Sequence, residues 1–240
     1  MSNLSYNLNE IPPSWWYLFL VQECMTLIQI AIDGPAGSGK STVAKKLSSM
    51  LGYVYLDTGA MYRSVTLKAL RENVNLDNPE ALKAVVDHLV IDFDKDRVFL
   101  DREDCTDAIR TPEVSRNVSK VAMDPYVRKV MVIQQQMIAN NKSVIMDGRD
   151  IGTHVLPNAD FKFFLIATSE ERAQRRLKEL REKGFETDLE TLIEEIDKRD
   201  KLDSERSCAP LKQADDAICI DTTHLDIDGV LKVMLDVINS

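Results

Sequence analysis

The fold is decided by the stretch LIQIAIDGPAGSGKSTVAKKL (residues 27–47). Its first six residues are an apolar run with a single polar break, which is typical of a strand buried on both faces of a parallel sheet. Residues 34–41 fit the pattern GxxxxGK[ST]. Beyond them, apolar residues recur at helical spacing as far as Leu51, and Gly52 ends the predicted helix. A strand, a glycine-rich loop and a helix in this order are the context of a phosphate-binding loop, or P-loop.

The P-loop predicts that the chain binds a nucleoside triphosphate. Its glycines let backbone N–H groups point at an anion, and the helix that follows adds the positive end of its dipole. Lys40 is expected to reach the β- and γ-phosphates of the nucleotide, and the hydroxyl of Ser41 to ligate Mg²⁺. A GTPase switch, a transport motor and a small-molecule kinase all fit this loop. The predicted nucleotide-binding residues are Gly34, Pro35, Ala36, Gly37, Ser38, Gly39, Lys40, Ser41 and Thr42.

Strand and helix patterns alternate along most of the remaining chain. Further strands are predicted at residues 53–56, 143–146, 161–166 and 217–220, and further helices at 170–183, 189–201 and 227–238. This alternation predicts an α/β fold of three layers, in which helices cover both faces of a central parallel sheet.

Residues 79–110 interrupt the alternation. Short alternating segments at 89–93, 97–100 and 103–105 are separated by charged turns, which predicts a small antiparallel meander inserted in the α/β body. Helix resumes after Thr111, which is a predicted N-cap with proline at the first helical position.

Composition excludes several classes of partner. The 240 residues include 30 basic and 39 acidic side chains, for a formal net charge of -9. A negative protein is repelled on average by nucleic acids and anionic membranes, so we expect neither as a partner. The four cysteines form no CxxC pair and the three histidines no HExxH motif. We therefore expect no zinc site and no disulfides, and a cytoplasmic protein with reduced thiols.

Residues 1–24 precede the first strand pattern and are treated separately. Their apolar run at 15–21 is too short to span a bilayer. The segment also lacks the basic region and cleavage site of a signal peptide. We interpret residues 1–24 as a leader without function, the alternative being an interaction segment with exposed aromatic side chains. The functional domain is then predicted to cover residues 25–240.

Polar side chains follow two further predicted strands, at the edge of the sheet where ligands bind. Asp147 ends one of these strands and is expected to hold Mg²⁺ through water, as a Walker-B acid does. Near it lie a hydroxyl, a phenol, two guanidinium groups and a second carboxylate. These groups belong to Thr58, Tyr62, Arg63, Arg149 and Asp150. The alternative is that the charged groups at each strand end form only a surface salt bridge.

Residues 170–206 are rich in arginine. Arg172 and Arg176 are four residues apart on one helix face, with Arg175 beside them. Arg199 follows on the next predicted helix, and Arg206 lies beyond the predicted end of that helix. We predict that this segment is a helical lid, which closes over phosphates and excludes water. The alternative is a solvated charged helix. A lid of this kind favours a kinase over a P-loop nucleotide switch, and the chain contains no Asn-Lys-x-Asp motif for reading guanine.

Four motifs resemble those of the bacterial-type cytidylate kinases, members of the nucleoside monophosphate kinase family. They are IDGP (32–35), LDTGAMYR (56–63), DGRDIGT (147–153) and the segment 199–211. The insert at 79–110 resembles the enlarged monophosphate-binding domain of this family. The resemblance implies a monomer that transfers the γ-phosphate of ATP to CMP and dCMP in pyrimidine nucleotide metabolism. Other acceptors, such as UMP, AMP or shikimate, stay open, as does the nucleotide switch.

The resemblance also implies roles for individual residues. Lys40, Arg149 and Arg199 would be catalytic, with Arg199 clamping phosphate from the lid. Ser119 and Arg128 would read the cytosine ring, for which a hydroxyl and a guanidinium are chemically suitable. The other implied acceptor-binding residues are Thr58, Tyr62, Arg63, Arg149, Asp150, Asp203 and Arg206.

Overall fold

The structure is a computed structural model that describes residues 27–94 and 96–240. The predicted leader, residues 1–24, lies outside the described residues. Within them, no helix is long and apolar enough to cross a membrane.

A parallel sheet forms the centre of the described chain. Its strands are β1 (Gln29–Asp33), β2 (Val54–Asp57), β6 (Val144–Gly148), β7 (Phe161–Ile166) and β8 (Ile218–Asp221). Their spatial order is β2-β6-β1-β7-β8, and every pairing is parallel. Each was predicted from its apolar run, with bounds that differ by two residues at most.

Helices cover both faces of this sheet. The α-helices of the described ranges are α1 (Lys40–Leu51), α2 (Thr58–Arg71), α3 (Pro79–His88), α4 (Pro112–Met123), α5 (Pro125–Ala139), α6 (Ser169–Glu182), α7 (Leu189–Glu205) and α8 (Ile227–Ile238). On one face, Ile30 and Ile32 of β1 belong to a core that includes residues of α1 and α8. On the other face, Ala31 belongs to a core with α2, α4 and α5. Successive side chains of a strand point to opposite faces, so β1 contributes residues to both cores. The prediction of a three-layer α/β fold is confirmed.

A second, antiparallel sheet lies in the region 79–110. It consists of β3 (Ile91–Asp94), β4 (Arg97–Leu100) and β5 (Glu103–Asp104), in that order. This confirms the predicted meander. Helix α3 precedes it and begins after Asn78, whose side chain accepts hydrogen bonds from the backbone at residues 80 and 81.

The ends of two later helices bear on the site. Thr111 caps α4 through its hydroxyl, which accepts from the N–H of Val114 at 3.4 Å, as predicted. Helix α7 runs to Glu205, four residues beyond its predicted end. It therefore carries both Arg199 and Asp203 on one continuous helix.

Gly34 is expected to tolerate no side chain. Its φ is 143°, and a Cβ added there would lie 2.1 Å from the carbonyl oxygen of Leu165 in β7. Gly34→Ala would combine backbone strain with a clash against the sheet, so we expect a loss of about 3 kcal/mol or more in the free energy of unfolding. Denaturant unfolding measures it.

Gly52→Ala is the matched control for Gly34→Ala. Gly52 ends α1 with a φ of 71°, but a Cβ there would meet nothing within 4 Å. Only the left-handed conformation is penalised, at about 1 kcal/mol. Equal losses in the two variants would contradict the role given to the contact with Leu165.

Candidate active site

A cavity of about 1710 Å³ opens at the edge of the sheet where β2 and β6 end. Small-molecule sites usually occupy roughly 300–1,000 Å³, so this cavity has room for two ligands. Gly34 and Pro35, although predicted to bind nucleotide, do not line it. The predicted residues that do are Ala36, Gly37, Ser38, Gly39, Lys40, Ser41, Thr42, Thr58, Tyr62, Arg63, Ser119, Arg128, Asp147, Arg149, Asp150, Arg199, Asp203 and Arg206.

The P-loop connects β1 to α1 and wraps around the side chain of Lys40. The Nζ atom of Lys40 donates to the carbonyl oxygen of Pro35 at 2.5 Å and to Oγ of Ser38 at 3.3 Å. Burial, and then the positive charge of Arg149, hold the pKa of Lys40 well below its usual range, although Asp147 opposes them. A bound polyphosphate would supply the negative charge that this buried ammonium lacks.

Asp147 joins the P-loop to the end of β6. Its Oδ2 accepts from the hydroxyl of Ser41 at 2.8 Å, and its Oδ1 accepts from the hydroxyl of Tyr55 at 2.7 Å. Thr58 donates to the Asp147 carbonyl oxygen at 2.7 Å. Burial raises the pKa of Asp147, as does the nearby Asp57, while Lys40 lowers it.

The pair of Ser41 and Asp147 has the chemistry of a magnesium site. Both present oxygen, which is the ligand atom that Mg²⁺ prefers. Across residues 27–94 and 96–240, no group of three or more His, Cys, Asp or Glu side chains is placed to hold a metal. A Mg²⁺ ion at this pair would therefore take its other ligands from phosphate oxygens and water, as is usual for Mg²⁺ in kinases.

Asp57 holds two arginines at the end of β2. Its Oδ2 lies 3.1 Å from Nη2 of Arg63 and 3.3 Å from Nη2 of Arg110, and its Oδ1 caps α2 by accepting from the N–H of Ala60 at 2.8 Å. Burial raises the pKa of Asp57, but Arg63 and then Arg110 outweigh that effect and lower it. The two guanidinium groups are thereby fixed on the cavity wall.

Asp203 of α7 draws three predicted residues together. Its Oδ2 lies 2.9 Å from Nε of Arg149 and 3.9 Å from Nε of Arg199. The hydroxyl of Ser119 on α4 donates to its Oδ1 at 3.4 Å. Asp203 is 4% exposed, so these contacts are shielded from water, and the hydrogen bond from Arg149 is the shortest of them.

Asp150 forms a second buried ion cluster. Arg128 on α5 pairs with its Oδ2, and Nη2 of Arg206 lies 3.2 Å from its Oδ1. The guanidinium of Arg128 also lies 5.3 Å from the centroid of the Tyr62 ring. Two guanidinium groups share one carboxylate here. The Nε of Arg128 is buried without a hydrogen-bond partner among the described residues, so this cluster can donate further hydrogen bonds to a ligand.

The arginines of the predicted lid divide into two groups. Arg172 does not line the cavity; its Nη1 donates to the Ala36 carbonyl oxygen at 3.0 Å and lies 2.6 Å from Oδ2 of Asp200. It therefore ties α6 and α7 to the P-loop. Arg176 and Arg199 do line the cavity. The sequence analysis assigned all of these arginines to a lid over phosphates. It did not distinguish Arg172, which binds the P-loop, from Arg176 and Arg199, which line the cavity.

The cavity carries an excess of positive charge at its centre. Burial, and then the adjacent Arg149, lower the pKa of Arg199 to about 10, although Asp203 opposes them. Arg63 and Arg176 act on Arg199 in the same direction. Cations that repel each other in a partly closed cavity are stabilised by bound anions.

Sequence reasoning missed two further groups in this wall. Arg110 precedes the predicted N-cap of α4, and it pairs with an aspartate 53 positions earlier in the chain. Tyr55 looked like an ordinary apolar residue of a strand, although its hydroxyl reaches Asp147. The available signal was position alone, since Tyr55 lies two residues before the DTGAMYR motif that begins at Asp57.

The family model and the curated relatives indicate the same family. The family model described as Cytidylate kinase matches residues 30–240. The Cytidylate kinase of Caldanaerobacter subterraneus subsp. tengcongensis is 54% identical over 211 residues, covering 88% of this chain and 94% of that protein. The Cytidylate kinase of Bacillus cereus is 52% identical over 216 residues, covering 88% and 96%. Among solved structures, Shikimate kinase from Acinetobacter baumannii aligns with 89% of this chain and 94% of its own, with a TM-score of 0.46 and 15% identity.

Proposed function

The chain belongs to the cytidylate kinase family, and we propose that it transfers the γ-phosphate of ATP to CMP, giving ADP and CDP. One observation of the structure carries the proposal. The P-loop and the two buried clusters around Asp150 and Asp203 open into the same cavity, so a triphosphate and a second phosphorylated ligand have room to meet.

The donor side is supported by the P-loop geometry. We infer that the loop backbone and Lys40 hold the phosphates of ATP, and that Ser41 and Asp147, the latter through water, hold Mg²⁺. When bound, Mg²⁺ would neutralise the charge that develops between the β- and γ-phosphates. Tyr55 and Thr58 hold the carboxylate and the backbone of Asp147 in place.

The acceptor side is supported by charge and by hydrogen-bonding capacity. Arg63, Arg110, Arg149 and Arg199 present guanidinium groups to the cavity, and we assign the phosphate of CMP to them. The predicted readers of base and ribose lie in the buried clusters that accompany them. Those readers are Ser119, Arg128, Asp150, Asp203 and Arg206, with Tyr62 and Thr58 nearby.

We infer that transfer is direct and in line, without a covalent enzyme intermediate. The acceptor phosphate is already anionic near neutral pH, so no general base is required. Rate then comes from holding the two phosphates in line and from neutralising charge in the transition state. Closure of the predicted lid, residues 170–206, excludes the water that would otherwise accept the phosphoryl group. In this scheme Arg172 anchors the lid and Arg199 reaches the phosphates.

Three finer statements belong to the same proposal. We expect dCMP to be an acceptor as well as CMP, and the protein to act as a monomer. We also propose a cytoplasmic location, with which the thiols of Cys105, Cys208 and Cys219 agree, since they form no disulfide among residues 27–94 and 96–240. Pyrimidine nucleotide metabolism is then its setting.

The test is ADP release from ATP and Mg²⁺ with CMP, dCMP, UMP, AMP and GMP, and with no acceptor. We expect strong turnover with CMP and dCMP, and a kcat/KM about a hundredfold lower for UMP. A site whose buried polar groups form hydrogen bonds with cytosine leaves some of them unpaired when uracil is bound. Chelation of Mg²⁺ by EDTA should stop turnover. ADP release that ignores the acceptor would contradict the proposal and favour a nucleotide switch, and preference for UMP or AMP would change the substrate.

A further inference from the structure

Asp33 is a buried carboxylate for which the proposed reaction has no role. It is the last residue of β1 and directly precedes Gly34, the first residue of the P-loop. Its Oδ1 accepts from the N–H of Ile151 at 2.8 Å, and its Oδ2 accepts from the N–H of Gly152 at 2.7 Å. With 4% of its surface exposed, it is joined to a segment 118 positions later in the chain.

The two N–H groups that Asp33 binds begin a single turn of π-helix, Ile151–Val155. The first N–H groups of a helical turn lack partners within the turn and need an acceptor from elsewhere. Asp150 stands at the N-cap position but makes no capping hydrogen bond. Its carboxylate is occupied by Arg128 and Arg206.

Asp33 therefore supplies the cap that Asp150 does not. This division leaves the carboxylate of Asp150 in the ion cluster on the cavity wall. The hydrogen bonds of Asp33 also hold the backbone that directly follows Arg149 and Asp150 against β1, the strand that leads into the P-loop. The register of the sheet brings these segments together, because Asp33 of β1 pairs with Gly148 of β6.

Asp33 packs closely against the turn at Ile151–Val155, and the groups around its carboxylate act on its pKa in both directions. A Cβ added to Gly152 would lie 3.1 Å from Cδ of Lys162 and 3.4 Å from Oδ2 of Asp33, so the turn has little space to move toward β1. Burial raises the pKa of Asp33 to about 6, against the opposing effect of the N–H groups of Gly152 and Ile151. Asp150 adds to that rise and Lys40 opposes it.

We propose that Asp33 is a positioning residue that holds Arg149 and Asp150 in register with the P-loop, and so aligns acceptor with donor. The proposal rests on the proposed function, because it takes Arg149 and Asp150 as acceptor-binding residues. Asp33 itself touches neither substrate in this scheme and acts through the turn that it caps.

Asp33→Asn is the primary test. The amide keeps the shape of the carboxylate but turns an N–H toward a backbone N–H, so the turn must move or lose a hydrogen bond. We expect KM for CMP to rise about tenfold and kcat to fall about tenfold, because small displacements of reacting groups are costly. KM for ATP should change less than about threefold, since the P-loop contacts are retained.

Asp160→Asn is the matched control for Asp33→Asn. Oδ2 of Asp160 accepts from the N–H of Gln29 at 2.8 Å, at the opposite end of β1 and on the exposed surface. Its kinetic constants should stay within about twofold of the parent, as expected for a surface change. In ¹⁵N spectra, the amide resonances of Ile151 and Gly152 should shift in Asp33→Asn and stay in place in Asp160→Asn.

Gly152→Ala is the second variant, in case Asp33→Asn does not fold. Its methyl group would crowd Oδ2 of Asp33 and Cδ of Lys162 and so displace the turn, while the Asp33 side chain is kept. We expect KM and kcat for CMP to change as in Asp33→Asn, and KM for ATP to change little. A folded Asp33→Asn protein with unchanged CMP constants, or with KM for ATP raised as much as that for CMP, would overturn the proposal. A parent protein that does not phosphorylate CMP would instead overturn the proposed function, and the amide shifts would still report whether Asp33 holds the turn.

Discussion

Lys40→Ala is expected to lower kcat with CMP by about a thousandfold or more, because it removes the one P-loop side chain placed to follow the transferred phosphoryl group. Its ammonium is buried inside the loop, 2.5 Å from the Pro35 carbonyl oxygen. No backbone N–H can replace a full positive charge at this point. Single-turnover measurement with saturating ATP and CMP separates the loss of chemistry from weaker binding.

The same variant is expected to keep its stability. The pKa of Lys40 is held well below its usual range in the folded protein, first by burial. A lysine pKa that is lowered on folding means that the charged form opposes folding, in full at pH values below the folded pKa and less as pH rises toward the unfolded value. Removing the ammonium should therefore leave Tm unchanged or higher near neutral pH.

Lys68→Ala is the control for both readouts. Lys68 is on α2, where its Nζ lies 2.6 Å from Asp101 and 3.0 Å from Glu72 on the surface. Its loss should change neither kcat nor Tm appreciably, since exposed ion pairs contribute little. Turnover retained by a folded Lys40→Ala protein would count against the whole donor-site assignment.

The fold could be predicted because its decisive signals are local. A buried parallel strand is apolar along its length, and β1 with the P-loop and α1 occupies 23 consecutive positions, from Gln29 to Leu51. The antiparallel meander could also be predicted, since only two charged positions of the sequence separate the end of β3 at Asp94 from the start of β4 at Arg97. In such segments pattern and structure depend on the same few neighbours.

The site could be predicted less completely, because its partners are distant in sequence. Arg172 and Arg199 look alike as lid arginines, yet Arg172 is bound by Ala36 and Asp200 while Arg199 faces the cavity. Asp33 caps a turn 118 positions away, and the sequence around it shows only a P-loop. A motif reports which residue types are present; which carboxylate receives which arginine is decided by the tertiary packing.

Asp203 shows why that packing matters for catalysis. It accepts hydrogen bonds from Arg149 and from the hydroxyl of Ser119, and it forms an ion pair with Arg199 at 3.9 Å. These partners come from the loop after β6, from α4 and from α7. Burial raises the pKa of Asp203, but Arg149 and then Arg199 outweigh it and hold the carboxylate ionised. A single charge therefore fixes two of the three predicted catalytic residues.

Asp203→Asn is accordingly expected to lower kcat/KM for CMP by about a hundredfold to a thousandfold, which corresponds to about 3–4 kcal/mol for a weakened charge-assisted hydrogen bond to Arg149 and a lost ion pair with Arg199. The amide keeps the volume of the side chain, so the loss reports charge and not a cavity. With no carboxylate to hold them, Arg149 and Arg199 repel each other and need a ligand to bring them together. KM for ATP should change far less, because the P-loop and Ser41 are untouched.

Asp197→Asn makes the comparison specific to Asp203, because it alters a carboxylate on the same helix. Oδ1 of Asp197 accepts from the hydroxyl of Ser169 at 2.6 Å on the exposed side of α7. If only the total negative charge of α7 mattered, Asp197→Asn and Asp203→Asn would lower kcat/KM equally. That result would contradict the role of Asp203. If Asp203 aligns the two arginines, the loss of kcat/KM is confined to Asp203→Asn. The loss of observed rate is then larger at CMP concentrations below KM than at saturation, because bound CMP helps to bring the two arginines together.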